Sequence, residues 1–199
     1  MVLPVDQVGQ TDIKQDSLSA KIFDRLFFKS RNVIIAGEIH HMSAKRAVEH
    51  MRALSEKSDD PINLIISSPG GHVESGDMLH HMIKFIKPKV RCIGRGWGAS
   101  AGALIFIGVA LKNRYCLPNT RFFLHQPSGG IGGQASDMKI QEEQRRQMRS
   151  RFEGSFAAAT GHTPQKIVQD TKRDFWLKVE AATSYGLVGQ IVSNCDALE

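Results

Sequence analysis

VRCIGRGWGASAGALIFIGVAL (Val90–Leu111) holds three textures in one run. Val90 to Ile93 is a short apolar segment of strand character. Ala99 to Leu111 is the longest apolar run in the chain, at 13 residues. It falls short of the ~20 residues a bilayer span requires and predicts a buried helix. Between them GWGASAGA (Gly96–Ala103) sets one serine among small residues. Strand, tight turn and helix in that order leave two readings of Ser100. It is a nucleophile exposed on a crowded turn, or a small residue that lets a helix pack closely.

Outward from this stretch the pattern repeats. Ser17 to Lys29 has helical spacing, and Asn32 to Ala36 (NVIIA) is a short apolar strand. Ser43 to Lys57 is amphipathic, with Ser43 as a candidate cap. Ile62 to Ile66 predicts a second buried strand, broken by Ser68-Pro69-Gly70-Gly71. A helix over Glu74 to Ile86 precedes the strand at Val90. Arg121 to His125 (RFFLH) reads as a strand and Ser128 to Gly133 (SGGIGG) as a glycine-rich extended segment. Ser136 to Thr160 is a long charged helix, and Thr163-Pro164 opens a short one with proline in its first turn. Short apolar strands alternating with amphipathic helices predict an α/β fold with a helix-covered parallel sheet. The chain reads as one domain over 1–199, with residues 1–16 as an arm.

Composition excludes several classes. At 199 residues, 41% hydrophobic and 23% charged, the chain suits a soluble globular domain. The net charge of +6 is weak support for an acidic partner. The cluster Arg145, Arg146, Arg149 and Arg151 is interrupted by Glu142, Glu143 and Glu153, as on a solvated helix face, so nucleic acid is not expected. Cys92, Cys116 and Cys195 show no CxxC spacing, which suits a reducing compartment. The N-terminus shows no basic segment followed by an apolar one, so no signal peptide is evident and a cytoplasmic location is expected.

Gly98-Ala99-Ser100-Ala101-Gly102 matches the GxSxG nucleophile elbow, where small neighbours expose Oγ and the following helix aims free N–H groups at developing negative charge. A nucleophile needs a base. His125 ends an apolar strand, a place where α/β folds put functional groups; a hydrogen-bonded structural histidine is the plainer alternative. Asp174, beside Phe175 and Trp176 that could desolvate it, is a candidate orienting acid or a surface ion-pair member. Gly70-Gly71 and Ala101 offer backbone N–H groups for an oxyanion, or SPGG is simply a turn. His72, Glu74, Asp77, His80 and His81 share helical spacing that can bind metal, but no HExxH-type pattern accompanies them. A solvated polar face is the simpler reading.

The ordered motifs resemble the Clp protease proteolytic subunit family (ClpP). The likeness runs from about Phe23 to Val192 and rests on SPGG (68–71), GASAGA (98–103), RYCLPNTRFFLHQPSGGIGGQASD (114–137), TKRDFW (171–176) and EAATSYGLV (180–188). Ser100 and His125 are 25 residues apart, and His125 and Asp174 are 49 apart, intervals similar to the family's. The order Ser…His…Asp differs from the Ser…acid…His order of α/β-hydrolases, so the GxSxG match to that fold is incidental.

The resemblance implies a crotonase-like α/β spiral of ββα units with a projecting handle over residues 126–160. It implies Ser100 as nucleophile, His125 as base, Asp174 as its orienter, and an oxyanion hole from Gly71 and Ala101. Peptide would pair by β-augmentation along Ser128, Gly129, Gly130 and Ile131, beside Gly70. Gln134, Asp137 and Arg173 match positions that link two stacked seven-subunit rings. Further implied partners are an AAA+ unfoldase of the ClpX or ClpA type, unfolded polypeptide and a second ClpP-type subunit. No metal or nucleotide is implied for this chain, since the unfoldase uses the ATP.

Three departures stand out. Ala101 replaces a common methionine, which predicts a looser pocket beside the serine. Trp97 and Gly98 are unusual near it. Asn63 and Ile65 stand where tyrosines often line the unfoldase-docking cleft. These suit a divergent isoform, or a regulatory ring subunit with little activity alone. A crotonase-like acyl-CoA enzyme is disfavoured by the Ser, His and Asp set.

Overall fold

The computed structural model describes residues 22–126 and 134–198. By internal contacts the chain divides into a unit of residues 1–32 and a unit of residues 33–199. In the first, helix α1 covers residues 22–29, with the Phe23 and Phe27 rings stacked at 5.9 Å.

The second unit carries the sheet. Its elements are β1 (Asn32–Ala36), α2 (His41–Lys57), β2 (Ile62–Ser68), α3 (Val73–Phe85), β3 (Val90–Ala99), α4 (Ala101–Phe106), β4 (Arg114–Cys116), β5 (Arg121–Leu124), α5 (Ala135–Thr160), α6 (Pro164–Asp170), β6 (Phe175–Lys178), α7 (Val179–Ser184) and β7 (Gln190–Ile191). The strands run in the order β1-β2-β3-β4-β7, while β5 pairs with β3 and β6. The β2–β3, β3–β4, β3–β5 and β4–β7 pairings are parallel, and β5–β6 is antiparallel. A mostly parallel sheet with helix cover fits the α/β expectation.

β3 is longer than its apolar run predicts because it serves two neighbours in turn. Cys92 to Gly94 pair with β4, and Trp97 to Ala99 pair with β5. Between these halves the register with β2 slips, from Ile66 opposite Gly94 to Ser68 opposite Gly98. Such an irregularity bends a strand and re-aims the residues beyond it. Gly96 takes the bend at φ +67, and a Cβ at Gly94 or Gly98 would meet the buried Phe122 ring at 3.1 Å. The glycines of IGRGWG thus let one strand turn over an aromatic core residue.

Two expectations need correction. The cap of α2 is His40, not Ser43. The His40 ring nitrogen accepts from the Ser43 N–H at 3.1 Å, and the Ser43 hydroxyl accepts from the His40 N–H at 3.0 Å, a reciprocal capping box. The apolar run Ala99–Leu111 is α-helical only over Ala101–Phe106, every residue of which is buried. Ala99 ends β3, residues 107–109 turn, and Leu111 opens a 3-10 helix, because continuous burial, not helical periodicity, wrote the pattern.

The long helix α5 is exposed over residues 137–142 and meets the core at Phe152 and Phe156, whose rings lie 4.6 Å apart and tilted by 44°. At its base the buried Arg114 donates to the carbonyls of Val109 (2.9 Å), Ala159 (2.9 Å) and Gly186 (3.3 Å). Thr163 caps α6 by accepting from the Lys166 N–H at 3.2 Å, with Pro164 in the first turn.

Candidate active site

Ser100 occupies the strand-to-helix turn between β3 and α4, at φ +52 and ψ −117. A non-glycine residue there is strained, and surrounding contacts must hold it. Three are visible. The Ser100 N–H donates to the Phe123 carbonyl at 2.8 Å, which extends the β3–β5 ladder by one step. The Ser100 carbonyl accepts from the Leu104 N–H at 3.1 Å and starts α4. A Cβ at Gly70 would come within 2.7 Å of the Ser100 Cβ, so only glycine admits the turn so close. The Ser100 hydroxyl makes no capping bond, and the residue is 8% exposed. The residue is thus buried, and its oxygen is not spent on capping α4.

Small residues around it pack closely as well. A Cβ at Gly102 would lie 3.2 Å from the Ser68 Cβ, and one at Gly76 would lie 3.0 Å from the Ala101 Cβ. Ala101 is fully buried against α3, so its small side chain does not loosen the site as expected. The close-packing reading of GASAGA holds, and the same packing carries Ser100 at the turn.

The turn Ser68–Gly71 is pinned, not slack. The Ser68 hydroxyl donates to the Gly37 carbonyl at 2.7 Å and accepts from the Gly70 N–H at 3.0 Å. Ile39 N–H donates to Gly70 O at 2.7 Å, and His72 N–H to Ile39 O at 2.8 Å. The Gly71 N–H lies between these bonds and takes no acceptor among the described residues. Gly71 sits at φ +139, where a Cβ would fall 2.3 Å from the Ile39 carbonyl. Ala101 opens α4, so its N–H has no intrahelical acceptor. Ala101, next to Ser100, and Gly71, next to the Gly70 that packs on Ser100, thus carry unspent donors.

Strand register gathers the other candidates. Ala99 is opposite Phe123 on β5, and Leu124 is opposite Phe175 on β6. One step beyond each pair, Ser100, His125 and Asp174 stand at the ends of three adjacent strands, and neighbouring strands lie ~4.8 Å apart. Gln126 N–H donates to Thr171 O at 3.3 Å and ties the segment before Asp174 to the segment after His125. Among the described residues no side-chain hydrogen bond joins Ser100, His125 and Asp174. His125 is half-buried with its ring stacked on Phe123 at 4.9 Å, and Asp174 is exposed. Phe175 and Trp176 do not desolvate Asp174; Phe175 packs on Tyr185 and Trp176 on Phe123.

Gln134, Asp137 and Arg173 are exposed, Arg173 directly before Asp174, and Ser128, Gly129, Gly130 and Ile131 lie outside the described residues. His80 is buried, not on a solvated face, and its Nδ1 meets Leu104 O at 2.8 Å. His72 Nδ1 meets the Ser75 hydroxyl at 2.8 Å, while Glu74 (3.2 Å) and Asp77 (3.8 Å) flank Arg151. A cavity of about 540 Å³ at the base of α5, lined in part by His81, Lys84, Arg114 and Arg151, is not part of the Ser100 centre. Sequence reasoning missed β6, whose four residues carry no periodicity, although TKRDFW was visible.

Comparison with known proteins bears on this arrangement. The chain matches the Clp protease family over residues 14–195. The ATP-dependent Clp protease proteolytic subunit of Paracoccus denitrificans is 59% identical over 167 residues, covering 84% of each chain. Proteolytic subunit 3 of Rhizobium meliloti is 53% identical, covering 84% of this chain and 86% of that one. The structure of ClpP1 from Listeria monocytogenes superposes with a TM-score of 0.80 at 42% identity, covering 89% of this chain and 99% of that one. The chain belongs to the Clp protease family. That is a peptidase family, and the strand-to-helix serine of this member is to be read in that light. The fold is the ClpP fold, as the likeness of the motifs implied.

Proposed function

We propose that this chain is the proteolytic subunit of an ATP-dependent Clp protease and cleaves peptide bonds as a serine endopeptidase. The observation that carries the reading is the register that brings Ser100, His125 and Asp174 to three adjacent strand ends. Ser100 Oγ attacks the scissile carbonyl carbon while His125 takes its proton. The oxyanion is held by the N–H groups of Gly71 and Ala101. His125 then protonates the leaving amine as the C–N bond breaks, leaving an acyl ester on Ser100. A water, deprotonated by His125, hydrolyses that ester and restores the serine. Asp174 orients the imidazole and offsets its positive charge. The chemistry needs only protein groups and water; metal and nucleotide have no part in it.

Peptide is bound in extended form along Ser128, Gly129, Gly130 and Ile131, through backbone pairing that tolerates many sequences. Gln134, Asp137 and Arg173 link stacked rings that enclose the sites in the cytoplasm. An AAA+ unfoldase feeds polypeptide in, docking beside Ile65, which packs with Leu117 and Leu198 on the buried cluster of Ile93, Tyr115 and Val192.

A second reading, a regulatory ring subunit with little activity alone, is favoured by one observation. In the single chain the three side chains are not joined to one another, and Asp174 is open to solvent. Arg173 beside it then couples ring contact to triad alignment. Fluorophosphonate labelling of size-separated species separates the two. Labelling of Ser100 in assemblies of this chain alone supports the first; labelling only with a sister subunit supports the second. Labelling elsewhere, or none in any assembly, overturns both.

A further inference from the structure

RFFLH alternates faces. Phe122 and Leu124 are fully buried, so Arg121, Phe123 and His125 lie together on the opposite face. The antiparallel partner β6 sets Trp176 opposite Phe123. The rings form one continuous stack. His125 lies on Phe123 with centroids 4.9 Å apart and planes 17° apart. Phe123 lies on Trp176 at 4.5 Å and 20°. The Arg121 guanidinium closes the far end, 5.5 Å over the Trp176 ring.

Phe123 is the aromatic partner of His125 among the described residues. Among the described residues no hydrogen bond fixes either ring nitrogen. A surface imidazole has several rotamers, and a nucleophile's base must be held near one of them for efficient transfer. Trp176 is 48% exposed, so burial does not account for its place. Near-parallel rings at these distances attract beyond the area they bury.

We propose that Phe123 and Trp176 are positioning residues of the peptidase reaction. They clamp the His125 imidazole in the plane from which it reaches Ser100, and Arg121 steadies the outer ring. The Phe123 face also lies against the ring that turns cationic when Ser100 gives up its proton, and aromatic faces attract cations. This inference rests on the proposed serine mechanism.

The test is steady-state peptide hydrolysis and fluorophosphonate labelling rate on assembled protein, for Phe123→Leu, Phe123→Tyr, Trp176→Leu and His125→Ala. Phe123→Leu keeps an apolar side chain and loses the π face. Its kcat and labelling rate are expected to fall about tenfold with KM changed less than about twofold, the mark of a misplaced catalytic group. Phe123→Tyr, which restores the ring, is expected to recover kcat to within about twofold. Trp176→Leu, one ring further out, is expected to cost about threefold, and in combination with Phe123→Leu to cost less than the product of the two losses. If Phe123→Leu does not assemble, Trp176→Leu decides by the same kcat and KM split. An unchanged kcat, a loss confined to KM, or tyrosine no better than leucine overturns the clamp. His125→Ala separates this from the reading beneath it. If it retains activity, the serine mechanism itself fails; if it abolishes activity while the ring variants are silent, only the clamp fails.

Discussion

The base of α5 and the ends of β3, β5 and β6 use polar side chains in opposite ways. At the base, Arg114 is 3% exposed and divides its N–H groups among three carbonyls from distant parts of the chain. Its Nε and Nη1 donors are committed to the fold. At the strand ends, Ser100, His125 and Asp174 are carried by hydrogen-bonded backbone, yet their side chains make no such bond to one another. On the proposed mechanism their hydrogen-bonding capacity serves the substrate. The contrast then predicts that losing Arg114 costs stability, whereas losing a strand-end residue costs activity.

The largest effect should come from the strand ends. On the proposed serine mechanism, Ser100→Ala is expected to lower kcat about 10⁶-fold and Asp174→Asn about 10⁴-fold, as in serine peptidases, with melting temperature and assembly unchanged. Peptide turnover and native mass spectrometry on the same samples check this; a melting temperature that falls with Ser100→Ala would blur the contrast. Gly70→Ala should break it deliberately. The added carbon meets both the Ser100 Cβ and, at 2.8 Å, the Ala99 carbonyl, on a backbone at φ +96. A loss of about 10²- to 10³-fold in turnover and a lower melting temperature are expected together.

Arg114→Met tests the other region. It strands one buried and two partly buried carbonyls, and a cost of about 3 kcal/mol in unfolding free energy is expected. Surviving folded protein should keep its labelling rate at Ser100. If labelling falls while stability holds, the base of α5 is not merely structural.

Smaller effects arise from burial. Burial holds the His80 pKa below its ordinary 6.5, against the Leu104 carbonyl, which raises it. The unfolded chain therefore takes up a proton near pH 6.5 that the folded ring refuses. Stability is full above that pH and falls as pH drops through it, until the folded ring also titrates. His80→Gln should flatten this slope in part, because burial lowers the His50 pKa too. Melting curves from about pH 7.5 to about 5.5 measure it, and an unchanged slope would remove His80 from the account. Finally, burial pushes the Cys92 thiol up to about 12 and the Cys116 thiol up to about 11, whereas Cys195 is exposed. A maleimide should modify one thiol quickly and two slowly, with peptide mapping placing the first at Cys195.

Much of the fold is legible in the sequence because its longer strands are written in short apolar runs. NVIIA is largely apolar although β1 buries only alternate residues, INLII is apolar but for Asn63, and α2 and α3 announce themselves by spacing. The elements that escape such reading are short. β4, β6 and β7 have two to four residues, too few for any period, and exist because longer neighbours offer them edges. Ser100 is visible as a serine among glycines and alanines, but its competence depends on partners that composition cannot weigh. The aromatic stack is invisible, since Phe123 and Trp176 lie far apart in sequence and meet only through the β5–β6 register.

By itself the sequence determined the α/β class, the tight turn at Ser100, and the order and spacing of the serine, histidine and aspartate. Local sterics and burial suffice for these, because each is written in a few consecutive residues. Only the tertiary structure decided that β3 bends to serve two neighbours, that Ala101 closes against Gly76 instead of opening a pocket, and that His125 rests on an aromatic stack. Those facts depend on which strands pair and in what register, and register is settled by the packing of the whole sheet.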